Sequence, residues 1–464
     1  MSANATAANL GPDYRQHPEW GFDTRQIHAG VQPDPVTGAQ VLPIFQTNAY
    51  QFSSAEQGAN RFALKELGPI YTRLNNPTNE AVENKIANLE GGVGALLTAS
   101  GQGAITTTIL TLARAGSNIV ASPSIYGGTY NLLNSTLSQY GIETRFVSDP
   151  ADPQTWKDVA DENTVAFYGE LIPNPAGDIL DIEPLAAAAH QVGVPFIVDA
   201  TVATPYLCRP FDFGADIVVH SATKYLGGHG AAISGVIVDA GRFDYADPQH
   251  AARFPGFNEP DESYHGLVYA RDLGVGGALG ANLAFILKAR VQIQRDLGFA
   301  ASPFNSFLVN LGLETLSLRV GRHVDSALRV AEFLEGKIAE GGDVVAVAYP
   351  GLPSSPYYGL AQKYTPRGAG AVLTFDLRGG LEAGLTFASS LQLHSTVANI
   401  GDVRSLVAHP ASTTHSQMNE EQLRAAGITA GTVRLSVGLE DIEDILADVQ
   451  RGLDAVAALR NTQR

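Results

Sequence analysis

The stretch VVHSATKYLGGHG, residues 218–230, starts as an apolar run and ends in hydroxyls, a lysine and glycines. Lys224 is one of only seven lysines in the chain. The other six fall in helical or loop contexts that suit solvent exposure, so Lys224 stands apart. Five further runs resemble the one before it: GALLTAS (94–100), SNIVAS (117–122), TVAFYGE (164–170), VPFIVDA (194–200) and ISGVIVD (233–239). Each is short and dominated by Val, Ile, Leu, Ala or Phe, which suits strands buried on both faces of a sheet. The segments between them are mostly long enough for crossover connections. The pattern predicts an α/β fold with a mainly parallel central sheet flanked by helices.

In such a sheet, ligands bind beyond the carboxyl ends of the strands. After ALLTA comes SGQGA (100–104), which opens a helical stretch; its backbone N–H groups suit an anion such as phosphate. After NIVAS comes Tyr126, between an apolar residue and two glycines, able to lay its ring on a flat ligand. After VAFYG come Glu170 and Asn174, after FIV comes Asp199, and after IVVH come Ser221, Thr223 and Lys224. A carboxylate at the end of a buried strand is costly without a cation or donor to meet it. Its partner is an arginine, a helix cap or a protonated ring nitrogen. Desolvation of Lys224 lowers its pKa and makes the amine nucleophilic; its plainer role is an ion pair with an acid such as Asp199. No G-x-x-x-x-G-K-[ST] loop is present, and GQGAIT lacks the third glycine of a dinucleotide fingerprint. Together, an anion cradle, an aspartate, a lysine and an aromatic ring match the needs of pyridoxal phosphate.

The remaining chain frames this block. Residues 1–20 read as a loose tail and 21–75 as an extended arm. A helix is expected over 78–90, capped by Thr78 and ended by Gly91-Gly92. Residues 241–280 are loop-rich. Long amphipathic helices follow from 313, then a second strand-containing unit over 340–440 and a terminal helix over 440–460. The expected division is an N-terminal tail and arm (1–75), a large cofactor-binding domain (76–298) and a small C-terminal α/β domain (299–464). The formal net charge of −17 argues against nucleic acid or an anionic membrane surface as a bulk partner. No run approaches a membrane span, and the N-terminus lacks a secretory pattern. A cytoplasmic protein is expected. Cys208, the single cysteine, permits no internal disulfide and no cysteine-rich zinc site; no metal is expected.

These residues resemble the Cys/Met-metabolism enzymes that use pyridoxal phosphate, of the aspartate-aminotransferase fold type. The resemblance runs from about Thr24 to Leu459. It rests on YTRLNNPT (71–78), SGQGA, YGGTY (126–130), VDATVATPYLCRP (198–210), HSATKYLGGHG and HPASTTH (409–415). It implies that Lys224 is the Schiff-base lysine and proton shuttle, that Asp199 partners the pyridine nitrogen, and that Tyr126 is the stacking ring. It implies that Asn174 meets the cofactor's phenolic oxygen, and that Gly101, Gln102, Ser221 and Thr223 hold the phosphate. Tyr71 and Arg73 would reach that phosphate from a neighbouring subunit of a homotetramer, with Tyr71 in the catalytic set. Arg434 would grip the substrate's α-carboxylate, with Asn399 beside it. His220 and His229 are expected to be structural. VDAT departs from the usual Asn after the aspartate, and SGQGA from the common Met-Ala; neither removes a required group.

The family's reactions diverge only after the γ-substituent leaves. HAGVQPDPVTGAQVLPIFQTNAY (28–50), the insert FPGFNEPDESYHGLVY (254–269) and VANIGDVRSLVAHPASTTH (397–415) are most similar to O-acetylhomoserine sulfhydrylases. γ-Lyases more often carry Ser-Leu-Gly where NIG stands at 399–401. The methionine γ-lyase usually has cysteine where this chain has Gly128. The resemblance therefore implies O-acetylhomoserine and sulfide as substrates, and homocysteine and acetate as products. Cystathionine γ-synthase or γ-lyase is the alternative reaction, and a cofactor-binding protein without catalysis is the alternative from another class.

Overall fold

The computed structural model describes residues 17, 19–174, 177–413 and 428–462. Most of the loose tail, and the last two residues of the HPASTTH motif, lie outside the described residues.

Seven strands build the first sheet: β1 (Gly94–Thr98), β2 (Asn118–Ala121), β3 (Glu143–Phe146), β4 (Thr164–Glu170), β5 (Phe196–Asp199), β6 (Ile217–His220) and β7 (Gly235–Asp239). Their order is β1-β7-β6-β5-β4-β2-β3. All pairings are parallel except those of β7, which runs antiparallel to both β1 and β6. The expected sheet is thus mainly parallel. The direction of β7 escapes sequence patterning because a strand buried on both faces reads the same either way. Alternate residues enter two cores: Phe196, Val198 and Val218 pack on one side, Ile197, Ile217 and Val219 on the other. β3, with the polar sequence ETRF, occupies the edge and is absent from the apolar runs.

The antiparallel return of β7 brings its first residue behind the glycine turn that follows β1. A Cβ on Gly235 would stand 2.1 Å from Ser100 O and 2.7 Å from Thr98 Oγ1. The helix Gly101–Leu112 starts at that turn, with Ser100 Oγ accepting from Gly103 N at 3.0 Å.

The second sheet has the order β10-β11-β12-β9-β8, from β8 (Val344–Ala348), β9 (Val372–Leu377), β10 (Ser395–Thr396), β11 (Leu406–Ala408) and β12 (Thr432–Ser436). The helix Gly380–Ser390 packs on it, and the helix Ile442–Thr462, where a terminal helix is expected, packs on Gly380–Ser390. The helix Leu316–Ala339 lies against β8 and β9.

Three local expectations need correction. The arm before residue 75 is not wholly extended: it contains the helices Phe22–His28 and Ala55–Phe62. Gln26 fastens the first to Ser317, donating from Nε2 to Oγ and accepting from its N, both at 2.9 Å. The helix Pro77–Glu90 is capped by Asn76, whose side chain accepts from Thr78 N at 2.9 Å, and Pro77 takes its first turn. Thr78 instead donates to Pro43 O, tying the arm down. Finally, Lys224 is not alone in being buried. Lys85 is fully enclosed, with Nζ donating to Ile27 O at 3.0 Å. Lys288 lies over the rings of Phe257 and Tyr269. Burial lowers the pKa of each to about 8. Their long apolar stems fit helices that pack into the body.

The brace between β7 and the glycine turn yields a prediction. Gly235→Ala should destabilise the protein by about 1–3 kcal/mol through overpacking. Urea denaturation checks it; an unchanged midpoint would mean that Ser100 yields freely.

Candidate active site

The strands β1, β2, β4, β5 and β6, all parallel to one another, end on one side of the sheet, where sequence patterning places the chemistry. Lys224 follows β6 in a tight turn: Lys224 N donates to Ser221 O at 3.1 Å, and Gly228 N donates to Lys224 O at 2.7 Å. Its Nζ donates to Asn399 Oδ1 at 2.5 Å. Burial, and then the nearby Arg434 guanidinium, hold its pKa below that of an ordinary lysine. Arg434 comes from β12, itself 5% exposed. It donates from Nη2 to Asn399 O at 3.0 Å and from Nη1 towards Asn174 Oδ1 at 3.5 Å. Burial lowers its pKa to about 10, and its Nε has no hydrogen-bond partner. The fold therefore gathers Lys224, Asn399, Arg434 and Asn174 from four separate parts of the chain.

Asp199 ends β5 and is buried. Its Oδ1 accepts from Thr201 N at 2.9 Å and Thr201 Oγ1 at 2.6 Å. Its Oδ2 is met, among the described residues, only by Tyr168 Oη, at 3.4 Å. Burial raises its pKa, against which the Thr201 bonds act. The plainer alternative, an ion pair between Asp199 and Lys224, is not formed; the lysine turns to Asn399 instead. Asp199 lies in register with Glu170 on β4. Glu170 Oε2 accepts from Tyr126 N at 2.7 Å, fixing the backbone that carries the Tyr126 ring. Burial first, and Asp199 second, push the Glu170 carboxyl well above its usual range.

The Tyr126 ring is 50% exposed. A Cβ on Gly128 would fall 2.5 Å from Tyr126 Cε1 and 2.7 Å from Gln102 Nε2, so any side chain there collides with both. A Cβ on Gly101 would fall 2.7 Å from Ser221 Cβ. The helix N-terminus and the Ser221 turn thus meet without an intervening side chain. Ser221 N in turn donates to Thr201 Oγ1 at 2.9 Å, linking the turn to Asp199. Thr223 Oγ1 donates to Ser234 O at 3.1 Å, so its proton is engaged within the chain. Tyr71 is 40% exposed, with the Arg73 guanidinium 5.5 Å from its ring centre. Arg73 Nη1 donates to Arg295 O at 3.0 Å. No hydrogen bond among the described residues joins this pair to the Lys224 cluster.

Tyr168 and Thr201 are absent from the candidate residues, and Glu170 stands among the strand-end groups without a role. Thr201 sits two residues after Asp199, in the position of an Asx-type turn donor, which is a legible signal. Tyr168 points inward from the middle of an apolar strand and carries none. His220 pairs with Glu90 at 2.6 Å, both fully buried, and His229 Nδ1 lies 2.7 Å from Gly227 O. Cys208 is buried and its thiol pKa is raised by burial, as for a core residue.

The donor set fits pyridoxal phosphate. With Gly103 N engaged by Ser100 Oγ, the N–H groups of Gly101 and Gln102 head the helix, and a glycine stands where a Cβ would clash, which suits a phosphate. Asp199 Oδ2, met among the described residues only by the long Tyr168 bond, can accept a ring N–H. An amine and an accessible aromatic face lie on the same side of the sheet.

Comparison with known proteins agrees. The model of the Cys/Met metabolism PLP-dependent enzyme family matches residues 23–454. The chain is 49% identical to the O-acetyl-L-homoserine sulfhydrylase of Corynebacterium glutamicum, over 94% of this chain and 98% of that protein. It is 45% identical to the homocysteine synthase of Schizosaccharomyces pombe, over 93% and 98% respectively. Its fold superposes with a TM-score of 0.88 on a Campylobacter jejuni protein assigned as an O-acetylhomoserine (thiol)-lyase. That structure carries N'-pyridoxyl-lysine-5'-monophosphate, is 38% identical, and matches over 94% of this chain and 100% of its own. The chain belongs to the Cys/Met-metabolism family of enzymes that depend on pyridoxal phosphate.

Proposed function

We propose that the chain catalyses a γ-replacement in which O-acetylhomoserine and sulfide give homocysteine and acetate. The observation that carries this reading is its near-full-length identity of 49% with a sulfhydrylase of that substrate. The site supports it with a buried amine and a guanidinium joined through one asparagine. The reaction is redox-neutral. The Cγ–O bond breaks with its electron pair leaving on acetate, sulfur forms the Cγ–S bond, and one S–H proton is released. Pyridoxal phosphate supplies, when bound, an electron sink for charge at the amino-bearing carbon.

Each residue has a part in this reading. Lys224 Nζ would hold the cofactor and serve as the base for the α-proton and later a β-proton. Its depressed pKa favours the neutral amine that such a base requires. Asp199 Oδ2 keeps the ring nitrogen protonated, and Thr201 steadies Asp199 for that task. Tyr126 covers the ring. The amides of Gly101 and Gln102 and the hydroxyl of Ser221 hold the phosphate, joined by Thr223 once its proton swings from Ser234 O. Asn174 meets the phenolic oxygen. Arg434, whose Nε is unengaged, binds the α-carboxylate, and Asn399 orients both cations.

We further propose a homotetramer in which Tyr71 and Arg73 complete a neighbouring subunit's site. The exposure of Tyr71 beside a stacked cation favours this. The division at residues 75 and 298 and a cytoplasmic location belong to the same reading. No helix among the described residues is long and apolar enough to cross a membrane.

Three outcomes are expected. Supplied with O-acetylhomoserine and sulfide, the purified protein should release homocysteine and acetate, identified by mass; 2-oxobutyrate and ammonia as main products would point to a γ-lyase instead. Lys224→Ala should abolish turnover and leave no borohydride-reducible cofactor linkage; a linkage kept on another lysine refutes the assignment. Arg434→Lys should raise KM about 10- to 100-fold, the equivalent of about 1.5–3 kcal/mol for a lost charged hydrogen bond. Steady-state kinetics check this, with cofactor content unchanged.

A further inference from the structure

Arg319, on the helix Leu316–Ala339, is 5% exposed. Its Nη1 donates to Tyr225 O at 2.8 Å, and its Nη2 to Leu226 O at 3.3 Å and Gly312 O at 2.7 Å. Its Nε reaches Thr315 Oγ1 at 3.3 Å. Among the described residues no carboxylate pairs with it, and burial alone lowers its pKa to about 10. A buried cation without an acid sacrifices hydration and gains no Coulombic return. Apolar residues fill such sites at lower cost, so the guanidinium calls for a role beyond filling space.

Two of the three carbonyls it holds belong to the two residues after Lys224. No side chain separates it from that turn. A Cβ on Gly228 would fall 2.0 Å from Arg319 Nη1, and one on Gly312 would fall 2.5 Å from Leu226 O. One helical turn further on, His323 Nδ1 lies 2.7 Å from Val437 O. The His323 ring also meets the Tyr225 ring edge-on, centres 5.3 Å apart. Val437 directly follows β12, which carries Arg434. One face of this helix therefore grips both the lysine turn and the end of the arginine strand.

We propose that Arg319 is a positioning residue for Lys224: its planar fork fixes the carbonyls of Tyr225 and Leu226, and thereby the line along which Nζ reaches Asn399 and the substrate. A lysine ammonium, a point charge on a flexible stem, does not reproduce that fork. The proposal rests on the role given to Lys224 above, which Lys224→Ala tests separately.

The experiment compares Arg319→Lys and Arg319→Met holoenzymes with Leu334→Ala, a control buried on the same helix away from the turn. The Met variant should lose about 10²-fold in kcat, the scale of a small misplacement of a reacting group. The Lys variant should lose less, and KM should change little in either. The pH midpoint of the bound cofactor's visible band should move upward in the Met variant, where a buried cation is gone, and less in the Lys variant. Leu334→Ala should lower thermal stability and leave kcat and the band unmoved. The proposal is overturned if both Arg319 variants behave as Leu334→Ala does. If Arg319→Met does not fold, Arg319→Lys decides on the same two readouts. A reducible linkage persisting in Lys224→Ala removes the role of Lys224 itself; its loss, with Arg319 variants that track the control, removes only the clamp.

Discussion

Two cations, Lys224 and Arg434, share one asparagine and, among the described residues, no carboxylate. The fold is arranged to tolerate this. β6 delivers the lysine, β12 of the second sheet delivers the arginine, and Asn399 meets one with its side chain and the other with its backbone. Buried charge without counter-charge is unfavourable until an anion arrives. The arrangement suits the carboxylate proposed for Arg434, and burial with the nearby guanidinium keeps the lysine amine easy to deprotonate.

A second group of like charges lies at the ends of β4 and β5. Glu170 and Asp199 are in register and buried. Their demands differ. Glu170 accepts the Tyr126 amide, which a neutral carboxyl also does. Asp199 receives both Thr201 donors on one oxygen, which favours its ionised form. Burial raises both carboxyls, Glu170 well above its usual range, while the two Thr201 donors oppose that rise at Asp199.

Much of this was legible in the sequence because burial on both faces writes apolar runs, and the residues ending such runs stand out. Lys224, Asp199, Tyr126 and the SGQGA turn were visible in this way. The reversed β7 was not, since direction leaves no mark on composition. Nor was the cap at Asn76, where Pro77 shifts the helix start by one residue from Thr78. Lys85 and Lys288 were unreadable because a lysine stem packs as a hydrocarbon while its amine finds a carbonyl or a ring. Tyr168 and Arg319 were hidden for a related reason. Each sits in a periodic element, and only the tertiary partner reveals that its polar end matters.

The reversed strand β7 has one more implication. By pressing Gly235 against Ser100 O, it braces from behind the turn whose amides are proposed to hold the phosphate. Nothing in that turn has to be ordered when the ligand arrives. The conformational entropy has already been spent in folding, so binding starts from a prearranged surface. The strand that breaks the parallel pattern thereby stiffens the cradle it never touches the ligand through.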